Sequence, residues 1–196
     1  MIIEQLALWG DEATQEHPAT FTTYLADPMP EHEDARRPAA IICGGGSFTH
    51  VGVHEKEPVA LAFLQAGYQA FTLDYVTSST GDVSYPNPEA DLARMVATVR
   101  ANAADWRVDP ARVVVVGFSA GGFVCASLAT SWRGNTLPKL VGLLRNPFAP
   151  MRWCLAIRRW TMRICAACSL KIPVSTCAFP RRAARQVVTF LTITAA

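Results

Sequence analysis

Apolar and polar positions along the first two-thirds of the chain alternate between short strand-like runs and longer amphipathic ones. Residues 19–25 (ATFTTYL) are β-branched and aromatic, the make-up of an early strand. Residues 27–38 are charged and proline-bearing, a surface loop. Residues 39–43 (AAIIC) form a short apolar run that ends in Gly44-Gly45-Gly46, as a buried strand should. A helix is predicted over 58–66, stopping at Gly67, and a strand over 69–75 (QAFTLDY). Residues 78–87, rich in Ser, Gly, Pro and Tyr, read as a loop. From 88 to 104 the period lengthens again, with Leu92, Met95, Val96 and Val99 on one helical face. Asp109-Pro110 breaks the chain before the strand 112–116 (RVVVV), and a further helix starts at 119 and runs to 131.

The RVVVV run has no polar alternation, which is expected of a strand covered on both faces. Strand followed by helix, three times over, predicts the α/β class: a mostly parallel sheet with right-handed crossovers and helices on both faces. No internal repeat or low-complexity tract interrupts this pattern. Half of the 196 residues are apolar (51%) and 17% are charged, so the chain can bury a core and is not of the disordered class. The apolar start is interrupted by Glu4, lacks preceding basic residues and is followed by no small-residue cleavage site. No apolar run is long enough to span a bilayer, and a cytoplasmic location is the expectation.

Charge changes the picture. The net value of +2 conceals an asymmetry. Residues 1–109 hold all 16 acids and six of the 18 bases, a formal −10, whereas residues 110–196 hold the other twelve bases and no acid, a formal +12. All four histidines (His17, His32, His50, His54) lie in the first part, and four of the six cysteines (Cys154, Cys165, Cys168, Cys177) in the last third. A basic arm of this kind suggests nucleic acid or membrane in general. The division adopted is therefore 1–136, the N-terminal part of an α/β domain, and 137–196, a basic, acid-free tail.

The chemistry-bearing motif is Gly117-Phe118-Ser119-Ala120-Gly121, a G-x-S-x-G with an apolar strand before it and a helix after it. A nucleophilic serine needs a tight strand-to-helix turn that lifts its hydroxyl above the sheet, and the two glycines leave room for that turn. The helix N-terminus adds N–H groups and a favourable dipole where an oxyanion forms, with Ala120 N–H as one donor. Glycines at 44–46, at the end of an earlier strand, let further backbone N–H groups face an acyl oxygen. The triplet lacks G-x-G-x-x-G and a P-loop lysine, which disfavours nucleotide binding.

With these motifs in order, the stretches CGGGSF, EPVALAFLQAGYQAFTLDY and YPNPEADLARMVATVRANAADWRVDPARVVVVGFSAGG resemble the bacterial α/β-hydrolases of the acetylesterase and feruloyl-esterase type. The resemblance covers about 39–136, half of the chain. It implies Ser119 as nucleophile, Ala120 as one oxyanion donor, and Gly45 and Gly46 as the best candidates for the others. It also implies a small carboxylic ester as substrate, acyl or acetyl esters on carbohydrates among them. No cofactor, metal or nucleic-acid partner is expected.

What the motif requires next is missing. The hydrolase order is Ser, then Asp or Glu, then His, yet no Asp, Glu or His follows Ser119. His50 and His54 follow the glycine triplet, but their chain order does not match the fold.

The tail admits three readings. In the first, 150–168 is a basic amphipathic helix, with Trp153, Ile157, Trp160 and Ile164 opposite Arg152, Arg159 and Arg163, as in an interfacial membrane helix. That reading makes the protein a non-catalytic membrane-surface binder. In the second, Cys165-x-x-Cys168 joins Cys154 and Cys177 in a zinc site, although two C-x-x-C pairs are not present. In the third, the tail is translated out of frame. With suitable synonymous codons, residues 151–173 read in the shifted phase give an apolar run ending in Tyr-Pro, then an acidic stretch. Such a sequence resembles what this family carries after its nucleophile helix. Under the third reading the hydrolase is truncated after that helix, one sheet edge stays unpaired, and activity is impaired.

Overall fold

The computed structural model describes residues 1–10, 18–28, 31 and 35–131, together with the backbone of 152–157 and 189–194. Seven strands form one mixed sheet: β1 (Ile2–Ala7), β2 (Thr20–Leu25), β3 (Arg37–Cys43), β4 (Gln69–Asp74), β5 (Val108–Phe118), β6 (Arg152–Ile157) and β7 (Thr189–Thr194). Their order across the sheet is β1-β2-β4-β3-β5-β6-β7. The four inner strands β4, β3, β5 and β6 run parallel; β1 and β2 on one side and β7 on the other join antiparallel. Among the described residues three α-helices lie between them: α1 (Glu57–Gln65), α2 (Asn87–Ala101) and α3 (Ala120–Ser131).

Both faces of the sheet are covered, and consecutive residues of the inner strands feed opposite cores. Ile41, Cys43, Phe71, Leu73, Val113 and Val115 pack on the side of α2 and α3, with Leu92, Val96, Val124 and Leu128. Ala40, Ile42, Ala70, Val114 and Val116 pack on the other side against Val59 and Ala60 of α1. This is why RVVVV carries no polar alternation: each valine has an apolar destination.

Three expectations need correction. The strand expected at 112–116 extends back to Val108 across Asp109-Pro110. Arg37 pairs with Val108 and Ala39 with Val113, so the extra residues are accommodated as an irregularity. A proline is tolerated there because a bulge leaves no ladder acceptor waiting for its missing N–H. The edge of β5 is not unpaired, since β6 lies along it from Val114↔Arg152 to Phe118↔Ala156. Finally, Arg152–Ile157 is extended where the first of the three readings of the tail places an amphipathic helix over 150–168. An open parallel edge offers this apolar segment a full set of backbone partners, which outweighs its helical period. Trp160, Ile164, Arg159 and Arg163 lie outside the described residues, as do Cys165, Cys168 and Cys177 of the zinc reading. No helix among the described residues is long and apolar enough to cross a membrane.

Candidate active site

β5 ends at Phe118 and α3 begins at Ala120, so Ser119 alone makes the turn between them. Its φ is +47°, in the left-handed region, and its side chain is exposed. A non-glycine residue held there costs about 1–3 kcal/mol and persists only where surrounding packing fixes it. Packing here is tight. A Cβ on Gly117 would lie 2.5 Å from the Gly121 carbonyl oxygen and 2.7 Å from Cys125 Sγ, and a Cβ on Gly121 would meet the carbonyl oxygens of Cys43 and Gly44. The glycines thus let α3 start against the end of β3.

Cys43 and Gly117 are register partners across the β3–β5 ladder, which sets the loop after β3 beside the serine. A Cβ on Gly45 would be 2.9 Å from both Ser119 Cβ and the Phe118 carbonyl oxygen. Gly46, Ser47 and Phe48 then follow with φ of +138°, +53° and +60°. Of the four non-glycine residues with positive φ among the described residues, Ser47, Phe48 and Ser119 cluster at this one place. The loop is closed by Gly52 N–H donating to Gly45 O (2.7 Å) and by Thr49 N–H and hydroxyl donating to Gly46 O (3.0 and 2.8 Å).

Of the N–H groups expected to face an oxyanion, Gly45 is otherwise engaged: it donates to Glu55 Oε2 at 2.7 Å. A carboxylate is the stronger acceptor for this N–H, and the Val53–Glu55 turn holds it within reach. Gly46 and Ala120 remain. Ala120 opens α3, where the first N–H groups have no intrahelical acceptor, the first helical bond being Phe123 N–H to Ser119 O (3.0 Å).

Several supports escaped the sequence reading. The Tyr75 hydroxyl donates to Gly44 O at 2.8 Å from a buried position, and burial pushes its phenol well above the ordinary range. Lys56 bonds both oxygens of Asp74 at 2.6 Å, tying the start of α1 to the end of β4. Ser78 N–H donates to Phe48 O (2.8 Å) and Ser79 hydroxyl to Thr49 O (2.7 Å), fastening the loop after β4 onto the glycine loop. Behind it, fully buried Asp91 accepts from Trp9 Nε1 (2.7 Å) and Val76 N–H (2.9 Å). Desolvation raises the Asp91 carboxyl to about 7 despite those two bonds. The signal for Asp91 was available: it lies one turn before Met95, on the apolar face of α2.

Neither described histidine is joined to Ser119. His50 is exposed beside Gly46, with Nδ1 3.0 Å from Thr49 Oγ1, and no hydrogen bond joins it to Ser119. His54 is exposed in the turn before α1, and His17 and His32 lie outside the described residues. No group of three or more His, Cys, Asp or Glu able to hold a metal occurs among the described residues.

Comparison with known proteins agrees with this geometry. The family model BD-FAE matches residues 28–146. Endo-1,4-beta-xylanase B of Butyrivibrio fibrisolvens is 36% identical over 99 residues, which is 50% of this chain and 16% of that protein. The carboxylesterase Cest-2923 of Lactobacillus plantarum superposes with a TM-score of 0.65 at 29% identity, over 74% of this chain and 52% of its own. An acetyl ester-xyloside bifunctional hydrolase of Caldicellulosiruptor lactoaceticus gives 0.57 at 30% identity, over 66% and 47%. The chain thus spans about half the length of these solved structures and a smaller share of the xylanase. With Ser119 on a strand-to-helix elbow and a glycine loop across the ladder from it, the chain has the α/β-hydrolase fold and belongs to the BD-FAE family.

Proposed function

We propose that this chain carries the nucleophile half of a serine hydrolase of small carboxylic esters, acyl or acetyl esters on carbohydrates among them. The observation that supports it most is the backbone of Ser119, held at φ +47° with its side chain exposed at the head of α3. In the reaction Ser119 Oγ attacks the ester carbonyl, and the oxygen that becomes negative is held by the N–H groups of Gly46 and Ala120. Fixed donors of this kind stabilise the tetrahedral intermediate without reorganising. Its collapse expels the alcohol and leaves an acyl-serine for water to cleave. Both steps need a base beside Ser119 Oγ, and the sequence after it supplies no Asp, Glu or His. Turnover by the 196-residue chain is therefore expected near background.

Two measurements with p-nitrophenyl acetate test the assignment. The 196-residue chain should show at most slow turnover, the residue an anion hole leaves when its base is absent. In a protein whose downstream reading frame supplies an acid and a histidine, Ser119→Ala should cost roughly a thousandfold or more. Half the activity surviving that substitution would remove Ser119 from the mechanism. Rapid, Ser119-dependent hydrolysis by the chain as it stands would mean that one of His17, His32, His50 and His54 serves as its base.

A further inference from the structure

One turn along α3 from Ser119 the surface opens into a cleft of about 470 Å³ that the hydrolytic machinery does not use. Three aromatic side chains line it. Phe48 comes from the glycine loop, Tyr85 from the loop before α2, and Phe123 from α3. Phe48 and Phe123 meet edge to face, centroids 6.1 Å apart at 84°. Tyr85 and Phe123 are 59% and 62% exposed, unusual for rings with no role in the core.

Glu89 lines the same cleft and is only 3% exposed. Among the described residues its carboxylate has no hydrogen-bond or ion-pair partner, and no Lys, Arg or His of those residues lines the cleft. Its oxygens are not among the fully buried polar atoms left without a partner, so the little of Glu89 that meets solvent includes its carboxylate, and a cation entering the cleft can meet it there. Ser127 is the one hydroxyl-bearing side chain of α3 on that wall. Aromatic faces carry negative potential and attract cations, most strongly where water is excluded. Rings and carboxylate therefore ask for the same ligand charge.

We propose that this cleft binds an organic ammonium group, held between the Phe48, Tyr85 and Phe123 rings and neutralised by Glu89. Phe123 N–H donates to Ser119 O at 3.0 Å, so the cleft begins one turn from the serine. The further statement that the ammonium belongs to the ester being cleaved rests on the ester-hydrolase reading; the binding site itself does not.

Titration of the full chain with choline, followed in amide correlation spectra, tests the site without any turnover. Saturable shifts are expected at Glu89, Tyr85 and Phe123. The neutral carbon isostere 3,3-dimethylbutan-1-ol should bind about tenfold more weakly or less. Glu89→Gln should lose about tenfold in choline affinity, and raised salt should weaken the parent chain further. Should Glu89→Gln not fold, Tyr85→Ala and Phe123→Ala alter exposed side chains and should each weaken choline severalfold. Absence of choline binding, equal affinity for choline and its isostere, or full affinity in these variants would overturn the proposal. Glu89-dependent binding of xylose in place of choline would overturn it in favour of a neutral polyol. None of these outcomes bears on Ser119, whose role stands or falls on ester hydrolysis.

Discussion

At Gly45 a single hydrogen bond decides what the glycine loop can offer an anion. The motif shows three glycines at a strand end, and from sequence each N–H is an equal candidate. Glu55 removes one of them from the choice, and no pattern in Val-His-Glu-Lys-Glu marks that residue as the acceptor. Such a contact depends on a loop folding back over ten residues, a path that local propensity does not specify. Asp91 is the opposite case, a carboxyl whose place on an apolar helix face betrays its burial. Its native value of about 7 exceeds the ordinary 3.8, so the folded chain holds a proton that the unfolded chain releases. The stabilisation from that proton is complete below the unfolded value and is lost as pH rises through the folded one. Stability in urea should therefore fall between about pH 4 and 7, by up to about 1.4 kcal/mol per pH unit from this group, and then level off. Asp91→Asn should flatten that slope whatever it does to the absolute stability. An undiminished slope in the variant would assign the effect elsewhere.

Among the elements, those with a buried face were legible and those without one were not. β3, β4, β5 and all three helices follow the apolar runs to within a few residues, because each has a core to fill. β1 was missed for the same reason: all six of its residues are exposed, and it exists by pairing with β2. Its Ile2, Ile3 and Leu6 leave an apolar edge that sequence alone reads as an indistinct start. β5 was read too short because Asp109-Pro110 is a real interruption that the strand passes through as a bulge. The elbow was legible down to its glycines, and here the structure sharpens the claim. A methyl group at Gly121 would strike the carbonyl oxygens of Cys43 and Gly44, neither of which can rotate away. Gly121→Ala should cost about 3 kcal/mol, at the upper end for an overpacked contact, read as a lower urea midpoint. A midpoint unchanged from the parent would show that α3 does not press on β3 as described.

For the whole molecule the sequence divides where its charge does. All acids and histidines lie in residues 1–109, Ser119 stands in the acid-free part, and the family match over 28–146 crosses that boundary and ends within the tail that begins at 137. The out-of-frame reading of that tail makes a sharp statement about the gene. Shifting the frame downstream of codon 136 should give a strand, an Asp and a final His, in hydrolase order. Early stop codons in the shifted frame, within an otherwise uninterrupted gene, would end that reading. The pairing of Cys43 with Gly117 has a consequence of another kind. It sets the strand end that leads into Ser119 and the strand end that leads into the glycine loop one rung of a backbone ladder apart, about 4.8 Å. That dimension is written by peptide geometry and not by any side chain. Drift in the surrounding loops can change which molecule reaches Ser119 while the spacing of the two strand ends stays where it was.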